Sequence, residues 1–367
     1  MISILIVDDS ETTLAYLKYL LALDDEIVVA GIAANGREAV ELTARKLPDV
    51  VLMDIHMPQM DGFEATRIIM ENTPVPIVIM SASHNIKDTE VIFRAMEAGA
   101  VALANKPQGI GHPEHERSAR ELVQTVKLMS EVKVVRRRSL AGTGQTKQPP
   151  PATPARPIHG ATTIKVVAMG ASAGGPPVLQ AILSRIPKNF PAPIMVVQHI
   201  AEGFMDGLIE WLSKTTALPI RLAAHGEPLF PGRVYFATDG YQMGVTGAGR
   251  IVLARGEPEN GSLPSISYLF RSVAEAYGAH AVGVLLTGMG IDGADGLKRM
   301  KDRGAITIAQ DKASSLVQGM AGEAIRLDGA MYELHFDNIG PALIGLANQQ
   351  YGEPHLPQSD GGKNHGK

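Results

Sequence analysis

The sequence contains no cysteine. Disulfide bonds, thiolate catalysis and cysteine-based zinc sites are therefore excluded, and any covalent nucleophile must be an oxygen or a nitrogen atom. Long hydrophobic runs are also missing: no stretch reaches the roughly 18 apolar residues that a membrane span needs. The first ten residues, MISILIVDDS, contain two aspartates at positions where a signal peptide would remain apolar. The sequence thus predicts a cytoplasmic protein with no membrane insertion.

Clusters of positive charge are scarce as well. The net charge is −4, and the one marked basic block is Arg136-Arg137-Arg138. A solvated helix end usually explains such a block, so nucleic acid is not expected as a partner. What the chain does have is length and apolar content, since 367 residues with 45% hydrophobic character can fill two cores.

Proline, glycine, threonine and glutamine are concentrated in AGTGQTKQPPPATPARPIHG, between Leu140 and Thr163. This composition without apolar periodicity is typical of a semi-extended linker. A similar polar, glycine-rich composition follows Tyr351. The predicted organisation is a first domain at 1–130, a linker at 131–162, a second domain at 163–350 and a flexible tail at 351–367.

Both predicted domains alternate short apolar runs with amphipathic segments. The first contains ISILIV, IVVAGIA, VVLMD, PIVIMS and AVALAN, and the second contains IKVVAMG, APIMVVQHI, GRVYFAT, RIVLA, AVGVLLTG and AITIAQD. This alternation indicates α/β folds with parallel sheets. We expect a flavodoxin-like sheet of order 2-1-3-4-5 in the first domain and a doubly wound α/β fold in the second.

Acidic residues follow two strands of the first domain. Asp8 and Asp9 close the first strand, and Asp54 closes the third. In a 2-1-3-4-5 sheet these strand ends meet at the switch point where ligands bind. Each aspartate alone could merely cap a helix. Together the three carboxylates favour a Mg²⁺ site, with Lys106 after the fifth strand as the partner of an incoming phosphoryl group.

These residues, with DIHMPQMDG, Ser81 and Lys106-Pro107, resemble the receiver domain of two-component response regulators over roughly residues 2–130. The resemblance implies that Asp54 accepts a phosphoryl group while Asp8, Asp9, Asp54 and the His56 carbonyl hold Mg²⁺. It also implies that Ser81 and Lys106 respond to the phosphorylated state. Leu103 stands where such domains usually have Phe or Tyr, so this chain lacks the aromatic residue of a rotamer switch at that position.

The segment KVVAMGASAGGPPVLQ places Ser172 among glycines after an apolar strand. Three interpretations fit it equally well. The spacing Gly170-x-Ser172-x-Gly174 matches a nucleophile elbow, in which the serine sits on a sharp strand-to-helix turn. Glycines opening a helix could instead cradle a phosphate, or the segment could be a plain turn.

A nucleophilic Ser172 needs a base and an orienting acid at the same sheet edge. His199 follows an apolar strand, whereas His225 and His280 have less distinctive contexts and His335 lies in an alternating strand pattern. Asp292 follows the most apolar strand through a glycine-rich turn, with Asp295 as its rival. An α/β-hydrolase chain order would select Ser172, Asp292 and His335. Sheet geometry favours Ser172, His199 and Asp292.

The motifs GASAGGP, VVQHIAEGF, WLSKTTALPI, PGRVYFA, LLTGMGIDGADG and AQDKASSLVQGM resemble the chemotaxis protein-glutamate methylesterases, whose members carry a receiver domain in front. The resemblance implies a serine carboxylesterase acting on glutamyl methyl esters of chemoreceptors, with accompanying glutamine deamidation. Ser172 would be the nucleophile, His199 the base, Asp292 the orienting acid and the Met289 N–H the oxyanion donor. Ester hydrolysis itself needs no cofactor, and a chemotaxis-type histidine kinase would be the phosphodonor.

Several positions depart from that family's pattern. Ala173 replaces the usual Thr after the nucleophile, and further departures lie in predicted rim segments at Thr238, Gly240, Gln242, Ser262, Leu263, Ser267 and Ala321. No member of the predicted triad is lost. The main hypothesis is a regulated esterase: the unphosphorylated receiver packs over the active-site crevice and inhibits the enzyme. The alternative is a catalytically weak or inactive signalling adaptor.

Overall fold

The structure is a computed structural model that describes residues 1–81, 86–132, 134 and 163–348. Apart from residues 131, 132 and 134, the predicted linker lies outside the described residues, as does the predicted tail. The domain boundaries therefore stay a prediction. Over the described ranges, no helix is both long enough and apolar enough to cross a membrane.

The first unit is a parallel sheet with helices on both faces. Its elements are β1 (Ile2–Val7), α1 (Glu11–Leu21), β2 (Ile27–Ala33), α2 (Gly36–Lys46), β3 (Val50–Asp54), α3 (Gly62–Asn72), β4 (Ile77–Ser81), α4 (Ile86–Ala98), β5 (Ala102–Asn105) and α5 (His115–Ser130). The strand order β2-β1-β3-β4-β5 confirms the predicted topology. Strands β3 and β4 are buried along their whole length, as expected of a sheet covered on both faces.

Helix α1 illustrates how local sequence sets these elements. The Ser10 hydroxyl accepts a hydrogen bond from the N–H of Thr13 (3.3 Å) and so caps the helix. Leu14, Leu17 and Leu21 are buried against the sheet, as their spacing predicts. These features leave the end of β1, with its aspartates, at the carboxyl edge of the sheet.

The second unit is also built around a parallel sheet. Its elements are β6 (Val166–Ala171), α6 (Gly175–Leu183), β7 (Ile194–Gln198), α7 (Met205–Thr215), β8 (Ile220–Leu222), β9 (Val234–Phe236), β10 (Gln242–Val245), β11 (Ile251–Ala254), α8 (Ile266–Tyr277), β12 (Ala281–Leu285), α9 (Ala294–Asp302), β13 (Ile306–Gln310), α10 (Gly319–Arg326), β14 (Tyr332–Leu334) and α11 (Phe336–Asn348). The seven-stranded order is β14-β13-β12-β6-β7-β9-β8. The predicted α/β class is confirmed.

One predicted strand lies outside this sheet. The segment RIVLA contains β11, which pairs antiparallel with β10 in a separate hairpin. The physical reason is the short connection between them, since a parallel pair needs a much longer crossover. The hairpin is followed by the segment that leads into α8.

The sheet order brings three strand ends together. Strand β6 pairs with β7 on one side and with β12 on the other. All three strands run parallel, so the residues that follow them leave the sheet at one edge. These residues include Ser172, His199 and Asp292. The fold therefore places all three at the same edge of the sheet.

Candidate active site

Ser172 lies on a sharp turn between β6 and α6. Its N–H donates to the carbonyl of Thr287 (3.0 Å), and its carbonyl accepts from the N–H of Gly175 (2.8 Å). Gly174 has a φ of 73°, a left-handed conformation that favours glycine. This strand-turn-helix geometry is the context that a nucleophile elbow requires.

The start of α6 disfavours the alternative of a phosphate cradle. Pro176 and Pro177 occupy its first turn and have no N–H to offer an anion. The Gly175 N–H is already bonded to Ser172. A helix N-terminus binds phosphate through such N–H groups, and here few remain.

His199 directly follows β7, and its backbone N–H donates to the carbonyl of Ala171 (2.9 Å). Its ring nitrogen Nε2 lies 3.1 Å from Oδ2 of Asp292. Nε2 is buried, and its N–H direction departs from that of a well-aligned hydrogen bond. The contact is therefore a close approach of the imidazole to the carboxylate.

The carboxylate of Asp292 is buried at the N-terminus of α8. Its Oδ1 accepts from the hydroxyl of Ser265 (2.8 Å) and from the N–H of Ser267 (3.1 Å). Its Oδ2 accepts from the N–H of Ile266 (2.7 Å). Burial by itself would raise the pKa of this carboxyl, but the contact with His199 and these hydrogen bonds outweigh it and lower the pKa to about 2. Asp292 is thus a fixed negative charge beside the imidazole.

The rival residues have other partners. His335 stacks on Phe336 and lies 3.5 Å from Asp337, so the arrangement that an α/β-hydrolase chain order would select is not formed. Asp295 accepts from the hydroxyl of Ser267 and lies 3.5 Å from Arg271. The other two candidate bases contact backbone carbonyls: the ring of His225 contacts Leu253, and the ring of His280 contacts Thr163.

The turn Gly288-Met289-Gly290 lies against the candidate nucleophile. A β-carbon at Gly288 would come within 2.7 Å of Cβ of Ser172 and would overlap the side chain of Met320. The turn is anchored at Thr287, whose N–H donates to Oε1 of Gln310 (2.8 Å). Met289 lines the same cavity as Ser172. Its backbone N–H therefore stays the predicted oxyanion donor.

Sequence reasoning missed several polar residues around the site. Ser265 carries the available signal, because it precedes an amphipathic helix at the position of an N-cap. Asn260 donates from Nδ2 to Asp292 (3.3 Å), and no local pattern indicates this contact. Gln198 could have been noticed as a buried polar residue that ends the apolar strand before His199.

A second site lies at the carboxyl edge of the first sheet. One carboxylate oxygen from each of Asp8, Asp9 and Asp54 lies within 4.8 Å of the others. Nζ of Lys106 lies 2.6 Å from Asp8 and 3.1 Å from Asp54. Burial raises the pKa of Asp54, and the charge of Asp8 raises it further, while Lys106 opposes the rise. Burial lowers the pKa of Lys106, but its two carboxylate partners raise it overall.

The donor set fits a hard divalent cation. Asp8 and Asp54 are buried, and Oδ2 of Asp8 receives no aligned hydrogen bond despite its closeness to Lys106. Buried carboxylates this close together are unfavourable unless positive charge compensates them, and carboxylate oxygens are the ligands that Mg²⁺ prefers. Ser81 is adjacent, because its carbonyl accepts from the N–H of Lys106 (3.0 Å).

The two units meet over the crevice that contains Ser172. A cavity of about 850 Å³ is lined by Ser172 and His199 from the second unit and by Leu103, Arg117 and Leu128 from the first. The first unit therefore forms one wall of the cleft that gives access to the candidate nucleophile.

Polar and aromatic contacts join the units around this cavity. Arg117 pairs with Glu202 (3.1 Å), and Nδ2 of Asn105 donates to the Glu202 carbonyl (3.3 Å). Between α4 and α7, the ring of Phe93 stacks on Trp211 with centroids 5.2 Å apart. Glu202 lies three residues after His199, so the first unit holds the loop that carries the candidate base.

Comparison with known proteins finds two domain families in this chain. Residues 4–112 match the response regulator receiver domain family, and residues 167–343 match the CheB methylesterase family. A protein-glutamate methylesterase/protein-glutamine glutaminase of Nitrosospira multiformis is 49% identical over 95% of this chain and 98% of its own. A relative of the same description from Geobacter metallireducens is 50% identical over 95% of this chain and 100% of its own. The crystal structure of the Thermotoga maritima CheB methylesterase catalytic domain is 37% identical, with a TM-score of 0.49, over 50% of this chain and 100% of that one.

Proposed function

This chain belongs to the family of CheB methylesterases that carry a receiver domain, and we propose that Ser172, His199 and Asp292 form its catalytic triad. The protein is a hydrolase that removes methyl esters from receptor glutamates, releasing methanol, and that deamidates receptor glutamines. The observation that carries the proposal is the buried pairing of His199 with Asp292 (3.1 Å) beside an elbow serine.

The chemistry follows from the positions of the two ring nitrogens. Because Nε2 of His199 faces Asp292, Nδ1 is the atom available to the Ser172 hydroxyl. Nδ1 takes the hydroxyl proton as Oγ bonds to the γ-carbonyl carbon of the ester. Asp292 stabilises the imidazolium that forms, and the Met289 N–H donates to the developing oxyanion. A preorganised donor of this kind contributes roughly 3 kcal/mol.

The intermediate then collapses in two steps. His199 returns the proton to the departing methoxy group, so methanol leaves and an acyl-enzyme remains on Ser172. Water attacks the acyl carbon as His199 accepts its proton; the bond to Oγ of Ser172 then breaks, His199 returns the proton to Oγ, and a receptor glutamate is released. With a glutamine side chain, the same steps release ammonia in place of methanol.

The receiver is proposed to regulate this chemistry through Asp54. A histidine kinase of a chemosensory pathway supplies the phosphoryl group, which Asp54 accepts. Asp8, Asp9 and Asp54, with the His56 carbonyl, would hold Mg²⁺, which neutralises negative charge there. Lys106 already lies 3.1 Å from Asp54 and supplies a positive partner for the phosphoryl oxygens. Ser81, at the end of the neighbouring strand, accepts from the N–H of Lys106 through its carbonyl and would respond with Lys106 to the phosphoryl group.

The contacts between the units support autoinhibition of the esterase. In the unphosphorylated state the receiver forms a wall of the crevice, held by exposed polar pairs such as Arg117 with Glu202. Such pairs are individually weak. A phosphoryl group adds about two negative charges beside Lys106. Lys106 is joined along the chain to Asn105, which contacts the loop of His199, so this charge can shift the contact.

The test is methanol release from methylated receptor membranes with and without a small phosphodonor and Mg²⁺. We expect the wild type to release methanol, the phosphodonor to stimulate release, and Ser172→Ala to be inactive in both conditions. Ser213→Ala, on the exposed face of α7, is the matched control and should behave as the wild type. A wild type that releases no methanol in any condition would contradict the proposal and favour a non-catalytic adaptor.

A further inference from the structure

Gln198 bridges the backbones of the candidate nucleophile and base. It is the last residue of β7, and its side chain is 2% exposed. Nε2 donates to the carbonyl of Ser172 (2.9 Å) and to the carbonyl of His199 (2.7 Å). One amide group therefore ties together two residues that follow neighbouring strands.

These bonds fix the peptide that follows the nucleophile. The Ser172 carbonyl accepts from both Gln198 and the N–H of Gly175, so both of its lone pairs are used. In a trans peptide the N–H points opposite to the carbonyl. The N–H of Ala173 is thereby directed away from Gln198. Rotation of this peptide, which would move the Ser172 side chain, requires breaking two hydrogen bonds.

The arrangement has a cost that an ordinary core residue would avoid. Oε1 of Gln198 is buried without a hydrogen-bond partner within the described part of the chain. A β-carbon at Gly175 would overlap this oxygen, so the glycine makes room for the amide. Burial of an unpaired amide oxygen is unfavourable, and an apolar side chain of similar length would fill the same space without this penalty.

We propose that Gln198 is a positioning residue, which holds Ser172 and His199 in the relative orientation that proton transfer requires. The proposal rests on the triad proposed above. It predicts that loss of the amide lowers the rate of the chemical step and leaves substrate binding almost unchanged.

The experiment compares Gln198→Met with Thr307→Val in the full-length protein. Methionine keeps the side-chain length and removes both donors. Thr307, on β13, is also buried, and its hydroxyl accepts from the N–H of Met331 (3.0 Å). Its replacement is therefore a matched structural perturbation away from Ser172. Circular dichroism and the fluorescence of Trp211 verify that both variants fold.

Two readouts separate positioning from general damage. The first is kcat and KM for methanol release, where we expect kcat of Gln198→Met to fall at least 30-fold, about 2 kcal/mol in barrier, with KM within threefold of the wild type. The second is the rate at which a fluorophosphonate labels Ser172. In that reaction an Oγ–P bond forms, fluoride leaves and the hydroxyl proton passes to His199, so the same decrease is expected.

A third variant, Gln198→Glu, tests the role of the donors. Its neutral carboxyl keeps one O–H donor, whereas its ionised form has none and faces two carbonyl oxygens. Its labelling rate relative to the wild type should therefore decrease as pH rises.

A Gln198→Met labelling rate within threefold of that of Thr307→Val would overturn the proposal, as would a flat relative pH profile of Gln198→Glu. A wild type that is labelled but releases no methanol would refute the proposed function alone, because labelling still decides the role of Gln198. Absence of wild-type labelling would overturn both.

Discussion

Replacement of Asp292 by asparagine removes the buried negative charge that pairs with His199. The structure predicts two consequences. The imidazolium loses its partner, and the tautomer with a proton on Nε2 is no longer favoured, so kcat should fall by roughly 10³- to 10⁴-fold. The folded state also loses a carboxylate that α8 stabilises through the N–H groups of Ile266 and Ser267.

The size of the second effect follows from the pKa of Asp292. A pKa of about 2, against the ordinary 3.8, corresponds to roughly 2.5 kcal/mol of stability at neutral pH. Because the pKa of Asp292 is lower in the folded state, this contribution to stability is fully present at pH values above the unfolded-state pKa. It is lost as pH falls through the folded-state pKa. Between pH 7 and pH 3, the wild type should lose about half of it, whereas Asp292→Asn has no such contribution to lose.

The assay is urea unfolding at pH 7 and pH 3, followed by fluorescence. Trp211 is the only tryptophan in the chain; it is buried in the second unit and stacks on Phe93 of the first, so its signal reports the second unit together with that contact. We expect wild type and Asp292→Asn to differ by about 2.5 kcal/mol at pH 7 and by about half of that at pH 3. Asp295→Asn is the matched control, since it removes a nearby carboxylate that contacts Arg271 and should retain most esterase activity. Equal stabilities of wild type and Asp292→Asn at both pH values would refute the reasoning.

Three further predictions concern the turn, the interface and the metal. Gly288→Ala should lower kcat at least tenfold with KM little changed, because the new methyl group would overlap Ser172. Steady-state methanol release measures both constants. An unchanged kcat would contradict the proposed position of the oxyanion turn. Arg117→Gln should raise basal methanol release by at most about fivefold, since an exposed ion pair is worth up to ~1 kcal/mol, while Arg120→Gln on the same helix should have no effect. Chelation of Mg²⁺ should abolish phosphodonor stimulation and leave basal release intact, as should Asp54→Asn; stimulation that survives chelation would argue against the proposed cation site.

The sequence could predict the fold because strand polarity and strand order determine which residues share an edge. The apolar runs located β1 to β7, β9 and β11 to β13 to within a few residues. Asp54 is the last residue of one such strand, and Ser172 and His199 directly follow two others. Asp292 was harder, because a glycine-rich turn separates it from β12. The nucleophile interpretation of Ser172 became distinct from a phosphate loop only when the start of α6 was seen to have few free N–H groups.

Other features depend on tertiary packing that no local pattern encodes. Asn260 reaches Asp292 from a segment beyond the β10–β11 hairpin, whose path is set by packing on α8. The direction of the Gln198 amide is decided by two carbonyls that meet only in the folded sheet. The pairing of Arg117 with Glu202 joins surfaces of separate units, and surface charge alone does not specify such a contact.

The central place of β6 has a consequence for the order of synthesis. Ser172 and His199 emerge from the ribosome with β6 and β7, but Asp292 follows β12, which pairs with β6 on the opposite side and is made much later. At roughly 5–20 residues per second, amino-terminal units fold before the rest of a chain is complete. A nascent chain that ends before Asp292 therefore has the proposed nucleophile and base without their proposed acid. If the triad is as proposed, we expect the receiver to have folded before esterase activity first becomes possible.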